Sequence, residues 1–156
     1  MDEALLKRVL PNNVEAERSV IACMLMDREA VVTASEILVP DDFYQNQYGV
    51  MFSAIVELFN EGKPVDMITV QDRLLEKDFP PELITLDLFK EIMATVPVSV
   101  NIKTYAGIVR EKAVMRRLIR VNEEIANTCY AGKEKLEDIL AYTEKAIFDL
   151  LQSRNS

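Results

Sequence analysis

Apolar residues recur at three- and four-residue steps along almost the whole chain, and no long stretch alternates strictly between apolar and polar. The clearest run is the last third. Asn101 is a good N-cap, nothing from Ile102 to about Tyr130 breaks a helix, and Gly132 supplies a left-handed stop. A second amphipathic run then extends from Lys135 to Leu151. Val114, Leu118, Val121 and Ile125 form a stripe on the first helix, flanked by Met115, Ile119 and Cys129. On the second, Leu136, Leu140, Thr143, Ile147 and Leu150 share a face, with Ile139 and Leu151 beside them. Two such helices joined by a few residues make an antiparallel hairpin, the first roughly 40 Å long at about 1.5 Å per residue. Its stripe is wider than one neighbouring helix covers. Either the hairpin folds onto its own domain, or part of this surface belongs to another chain.

Upstream, the same periodicity predicts five shorter helices. Asn12 with Glu15 resembles a capping box for a helix over about 13–26, with Val20, Ile21, Met24 and Leu25 inward. Asp27 restarts the chain into 28–38, carrying Val31, Val32, Ala34 and Ile37. Pro40-Asp41-Asp42 breaks it, and Phe43 and Tyr44 follow as a core plug. The third helix, 47–60, ends at Gly62 and Pro64; its inner side is Val50, Met51, Ala54, Ile55, Leu58 and Phe59. Thr69 and Asp72 open a short helix with Val70, Leu74 and Leu75. Thr85 caps a fifth, to about Thr95, which buries Leu88, Phe89, Ile92 and Met93. The expected fold is therefore all-α. A mobile lead (1–11) precedes a small helical head of about five helices (12–98) and a long antiparallel hairpin (99–152), with the joint at Val96–Val100 around Pro97.

Composition sharpens this picture. The chain has 156 residues, 49% of them hydrophobic, and only four Gly, which suits a helical domain with a real core. It lacks the run of about eighteen apolar residues that a membrane span needs, and residues 1–10 are too short, mixed and charged for a signal peptide. Cys23 and Cys129 fall within helical apolar patterns far apart, so both are expected as small buried hydrophobes in a reducing cytoplasm rather than as a disulfide. The net charge of −8 argues against a general nucleic-acid binder. It is also uneven: residues 1–100 carry 8 Lys and Arg against 18 Asp and Glu, whereas residues 101–156 carry 10 against 8. Lys103, Arg110, Lys112, Arg116, Arg117 and Arg120 crowd one half of the long helix. That cluster is either a solvated face pairing with acidic neighbours, or a surface for an acidic protein or a nucleic-acid backbone.

No catalytic constellation can be assembled. Histidine is absent, which removes the commonest general base and metal ligand. The cysteines lack Cys-x-x-Cys spacing, and no G-x-x-x-x-G-K-[ST] loop occurs to cradle phosphates. Asp41/Asp42 and Glu123/Glu124 are adjacent pairs that point to different faces of a helix. No catalytic, cofactor or metal residue is expected in this segment.

The series Pro11-Asn-Asn-Val-Glu-Ala-Glu-Arg-Ser-Val20, Asp41-Asp-Phe-Tyr44, Glu61-Gly-Lys-Pro-Val-Asp66, Val96-Pro97, Asn101-Ile102, Tyr105-Ala106, Ile108-Val109 and Glu111-Lys-Ala-Val-Met-Arg-Arg-Leu-Ile-Arg120 resembles, in that order, the opening of the bacterial replicative DNA helicase of the DnaB type. It covers about residues 11–151. The chain departs from the family at Pro80-Pro81 and Ile84-Thr85, where a Gly pair is common. It departs also at Ile21-Ala22, where many members have Leu-Gly, and at Val98-Ser99-Val100, where small residues are usual.

The resemblance implies an N-terminal domain with a helical head and hairpin, followed in the family by a linker helix and an ATPase motor that are not in these residues. ATP and magnesium would belong to that motor. In the family, hairpins pair head-to-tail and heads make a second contact, giving a three-fold collar on the hexamer. The collar surrounds the channel for single-stranded DNA and docks the C-terminal domain of primase; loader proteins act on the same hexamer. The expected function is thus a non-catalytic, cytoplasmic oligomerisation and primase-docking collar. Val114, Leu118, Ile125, Leu136, Ile139, Leu140, Ile147 and Leu150 are the candidates for hairpin and dimer packing. Glu15, Leu88, Ile119 and Ile125 are the candidates for touching primase. Two alternatives stay open: the helicase-binding domain of a primase or a helicase-loading adaptor, and a helical nucleic-acid-binding module using the Lys103–Arg120 cluster.

Overall fold

The structure, a computed structural model, describes residues 8–94 and 101–155. Among them are seven α-helices and two short 3-10 turns, with no strand, in agreement with the all-α expectation. The helices are α1 (Val14–Met26), α2 (Arg28–Ile37), α3 (Asn46–Asn60), α4 (Met67–Glu76), α5 (Leu86–Ala94), α6 (Ile102–Ala131) and α7 (Leu136–Asn155); the turns are Pro40–Asp42 and Pro81–Leu83. The first seven residues of the lead, the end of the fifth helix at Thr95 and the joint at Val96–Val100 lie outside the described residues.

Two units emerge: a head, Asn12–Lys112, and a second unit formed by residues up to Pro11 together with those from Ala113 onward. The head therefore takes in the first turns of α6, beyond the 12–98 expected for it. The reason is packing: Ala106 and Val109 are part of the head's apolar core, with Ile102, Tyr105 and Ile108 against it. Helix α1 is the centre of the head, packed against α2, α3 and α5. Eight of its thirteen residues are buried, so it is enclosed on most sides rather than along one stripe. Ile21 and Met24 of α1, Met51 and Ile55 of α3 and Phe89 and Ile92 of α5 are fully buried. Each such side chain contributes roughly 1.5–3 kcal/mol of transfer free energy.

Helix ends follow local chemistry. Asn13, one residue later than expected, caps α1 by accepting from the Ala16 N–H at 2.9 Å. Asp27 caps α2 through the Glu29 N–H. Helix α4 opens before Thr69, because Asp66 and Thr69 form a reciprocal capping box at 2.9 and 3.0 Å. Thr85 and Asn101 cap α5 and α6 as expected. At the end of α4 the Phe79 N–H reaches the Leu74 carbonyl and the Asp78 N–H reaches Leu75, a Schellman motif with Asp78 at φ 58°.

Several expected inner residues are exposed instead. Val32, Leu75 and Met93 lie at the margins of their helical stripes, and Tyr44 stands in the short link before α3. Phe43 does plug the core, its ring 5.2 Å from that of Phe52. Cys23 is buried, and that burial raises its thiol pKa, whereas Cys129 is exposed because the last turns of α6 bury nothing.

Two carboxylates in the core were not anticipated. Glu17, 1% exposed, accepts from the Tyr44 and Gln45 N–H groups at 2.9 and 3.1 Å. It takes over the approach to α3, whose own N-cap, Gln45, makes no side-chain capping bond. Asp42, 0% exposed, accepts from the Val39 N–H at 2.9 Å and from the Arg110 guanidinium at 2.9 and 3.2 Å. Outside the core, Arg73 bridges α4 to Glu57 and Glu61 of the α3 end, and Lys77 also meets Glu57.

Glu17→Ala takes the charged acceptor from the Tyr44 and Gln45 N–H groups, at about 1.5–3 kcal/mol for each bond. The expected result in urea unfolding is a lower midpoint at unchanged slope; an unshifted midpoint would remove Glu17 from this role. Acid should act through the Arg73 cluster. The Lys77 ammonium and the Arg73 guanidinium lower the pKa of Glu57, and Arg73 and Lys63 hold Glu61 at about 2. Both pKa values are depressed on folding, so this stabilisation is complete above the unfolded value of about 4.3. It is lost as pH falls from there toward about 2. The melting temperature should drop over that window, and Arg73→Gln should flatten the drop.

Candidate docking surfaces on the hairpin and head

The second half of α6 and the whole of α7 bury very little. Among the described residues from Ala113 onward, only Ala113, Arg116 and Ile139 are buried. At about 100° per residue, the apolar residues of α7 divide into two adjoining faces. Ile139, Thr143, Ala146, Ile147 and Leu150 take the covered side. Leu136 (70% exposed), Leu140 (58%), Phe148 and Leu151 stay in solvent. The single stripe read from the sequence is thus split: Leu136 and Leu140 belong to the open face, Ile147 and Leu150 to the covered one. On α6, Val114, Ile119, Val121 and Ile125 are half-buried, and Met115 and Leu118 are exposed.

The turn of the hairpin is made as its sequence requires. Gly132 sits at φ 65° with its N–H on the Thr128 carbonyl, and α7 begins four residues later. Between the two helices near this turn lies a hollow of about 400 Å³ lined by Glu124, Ile125, Thr128, Glu134, Ile139 and Tyr142. The Tyr142 hydroxyl donates to Glu124 there. That bond, with burial adding to it, raises the Tyr142 pKa, because losing the proton would set a phenolate against a carboxylate.

The basic cluster of α6 is dispersed by its contacts. Within the head, Arg110 is paired with Asp42. In the second unit, Arg116 is 4% exposed and donates to the Pro11 carbonyl at 2.8 Å. Lys112 and Arg117 are half-buried, which leaves Lys103 and Arg120 as the exposed members. Arg110 and Arg116 are thus held by protein oxygens, so part of the cluster serves the fold.

Of the remaining candidates, Glu15 is exposed and Leu88 is half-buried, both on the head; Ile119 and Ile125 lie on the hairpin. Glu15 borders a hollow of about 370 Å³ that also includes Arg18, Tyr105 and Ile108. Arg18 is held there by Tyr48 and Glu91, and the Tyr48 hydrogen bond raises its pKa. The sequence reading missed Glu17, Asp42 and Arg116. For Glu17 a signal exists: it stands in register with Val20, Ile21 and Met24 on an inward face. Among the described residues no three His, Cys, Asp or Glu side chains gather to hold a metal ion. Likewise, no described helix is long and apolar enough to cross a membrane.

Both the sequence and the fold have counterparts among known proteins. The family described as DnaB-like helicase N terminal domain matches residues 9–111. The replicative DNA helicase DnaC of Bacillus subtilis (strain 168) is 36% identical over 156 residues, which is 100% of this chain and 34% of that protein. The chain thus spans about a third of the length of this relative. The N-terminal domain of DnaB helicase from Mycobacterium tuberculosis superposes with a TM-score of 0.84 at 29% identity, covering 90% of this chain and 99% of that one. The corresponding domain from Helicobacter pylori, described together with its interactions with primase, gives a TM-score of 0.67 at 22% identity. It covers 83% of this chain and 99% of that one, a likeness of fold.

The Tyr142–Glu124 bond makes a direct prediction. Glu124→Gln should bring the Tyr142 titration down toward the ordinary phenol value of about 10, read from phenolate absorbance against a Tyr142→Phe control. An unchanged midpoint would show that Glu124 does not control it.

Proposed function

The chain belongs to the DnaB-like helicase N-terminal domain family, and from that premise we propose that it forms the collar of a hexameric replicative helicase, pairing its hairpins and docking primase. The segment corresponds to the non-catalytic N-terminal domain of a replicative helicase, apart from the ATPase motor. ATP and magnesium are assigned to the motor of the whole protein, and a cytoplasmic setting goes with this reading.

One observation carries the pairing: α7 is twenty residues long and buries a single one of them, Ile139, among those described. Ordering each residue costs about 1–2 kcal/mol of backbone entropy, so a helix this exposed gains stability by covering its second apolar face. Leu136, Leu140 and Leu151, with Leu118 and Met115 of α6, supply that face. Charge supports a head-to-tail arrangement. Residues 113–121 carry no carboxylate and three Arg, of which Arg116 is buried and Arg117 and Arg120 reach solvent, whereas residues 122–138, around the turn, carry five carboxylates and two Lys. Antiparallel pairing sets the acidic turn of one hairpin beside the basic segment of the other; parallel pairing sets like beside like.

Primase docking is supported by family membership and by two half-buried apolar side chains, Ile119 and Ile125, on the same hairpin. Glu15 and Leu88 are the proposed contacts on the head. Helicase loaders and single-stranded DNA are proposed to meet the assembled hexamer, the DNA by way of its channel. The nucleic-acid-module reading is the weaker one, since Arg110 and Arg116 hold protein oxygens and the net charge is −8. The reading as a primase or adaptor domain is weakened by the relatives themselves, which are replicative helicases.

Sedimentation velocity on the 156-residue chain tests the pairing. The expected behaviour is concentration-dependent self-association, weakened about tenfold or more by Leu140→Glu, a truncation-scale loss for a central apolar contact. Calorimetric titration with the C-terminal domain of primase should show saturable binding that Ile119→Asp reduces while the head stays folded. A monomer at every concentration, or full self-association by Leu140→Glu, would overturn the pairing; wild-type primase affinity in Ile119→Asp would remove that contact.

A further inference from the structure

Away from the hairpin, the head carries a second apolar concavity. It is a groove of about 270 Å³ between α4 and the turn that follows it, walled by Leu74, Leu75, Phe79, Pro80, Pro81 and Ile84. Leu75 is 55% exposed, although it lies in the wall. Ile68, seven residues earlier and therefore on the same face of α4, is 73% exposed, and Leu83 and Leu86 on the far side are also in solvent. An apolar surface of this continuity on a small domain marks a contact site.

The groove is preformed. The Schellman motif at the end of α4 pins Phe79 to Leu74 at 3.0 Å, and the Leu83 and Ile84 N–H groups return to Pro80 and Pro81 at 3.1 and 3.3 Å. The Gln71 side-chain amide ties the two walls together by donating to the Ile84 carbonyl at 3.4 Å. Gln71 and Thr85, the polar members of the lining, are thus turned to internal work, Thr85 as the cap of α5. A polar small molecule would find no converging donors and acceptors here. What remains for recognition is the apolar floor and the charge around it.

That charge is of one sign. Residues 66–87 hold six Asp and Glu against Arg73 and Lys77. Both cations face the other way, into the cluster with Glu57 and Glu61. Asp72, Asp78, Glu82 and Asp87 all lie in solvent, each next to or two residues from a lining residue. Among the described residues no cation is within ion-pair distance of these four. An apolar floor with a carboxylate rim is complementary to apolar side chains flanked by lysine or arginine. We infer that this groove docks a short cationic amphipathic segment of a partner protein. The hydrophobic wall provides the seat, and the rim selects the sign of charge and speeds the encounter. It lies wholly within the head, so it is independent of the hairpin pairing.

The test uses the 156-residue chain and a fluorescein-labelled synthetic amphipathic helix with leucines on one face and lysines flanking them, followed by anisotropy. Saturable binding is expected, weakening steeply as salt screens the rim. The same helix with glutamates in place of the lysines should bind at least about tenfold more weakly, and Leu75→Glu should cost about as much. Because Leu75 is already exposed, that variant should melt as the wild type does. Asp72→Lys with Glu82→Lys should weaken binding and reduce its salt dependence. Leu140→Glu, on the hairpin, should leave it unchanged. Absence of saturable binding, equal affinity for both peptides, or full affinity in Leu75→Glu would overturn the inference. So would self-association of the chain that Leu75→Glu abolishes without peptide, which would give the groove to a second copy.

Discussion

A carboxylate at zero exposure must be met by partners, and Asp42 is met by two from different parts of the chain. One is the Val39 N–H in the turn that ends α2; the other is Arg110, sixty-eight positions later on α6. Breaking a buried pair of this kind leaves a charge without compensation, at about 3–5 kcal/mol. The pair therefore fixes which turn of α6 lies on the head, and a one-residue slip would carry Arg110 about 100° away. Ala106 and Val109 fill the core in that same register. Glu17 does comparable work at the next turn of the chain, where it holds the backbone entering α3. Gly49 on α3 completes this corner: a Cβ there would stand 2.7 Å from the Pro40 carbonyl oxygen, so the turn that carries Asp42 can come this close only over glycine.

From this fixed beginning, α6 passes from a region rich in buried side chains to one that is nearly bare. The head has a core of its own and the hairpin does not. By the usual balance of burial against chain entropy, the hairpin is the part with the least free energy separating it from local opening. The same property suits it to a role in assembly. A surface that is only half covered in one copy gains from a second, and its stability becomes tied to the concentration of partners.

Much of this was legible in the sequence, because helix periodicity and caps are local. The all-α class, the head-then-hairpin order, Asn101 as a cap and the Gly132 stop all follow from residue types at short spacing. The start of α4 moved to Met67 because Asp66 and Thr69 cap reciprocally, a pairing that Thr69 read on its own does not reveal. Periodicity also cannot tell which of two adjoining apolar faces is covered within one copy, so Cys129, Leu136 and Leu140 were grouped with residues that are buried or half-buried. The buried charges were hidden for another reason. Glu17, Asp42 and Arg116 look like surface residues until partners distant in sequence are brought to them.

The acidity of the head is likewise not one property. Three groups of its carboxylates differ by what they face. Glu17 and Asp42 point inward and serve as caps and ion partners in the core. Glu57 and Glu61 form a surface cluster around Arg73 that ties α3 to α4. Asp72, Asp78, Glu82 and Asp87 flank residues of the apolar groove in sequence and face solvent. The first group acts at short range and is insensitive to salt. The second has much of its field cancelled by its own cations. The third has no cation within ion-pair distance among the described residues, so its field reaches outward until ions screen it within about 10 Å at moderate salt. The net charge of −8 argues against a phosphate backbone as the main ligand, and the charge of this last group favours a cationic protein surface.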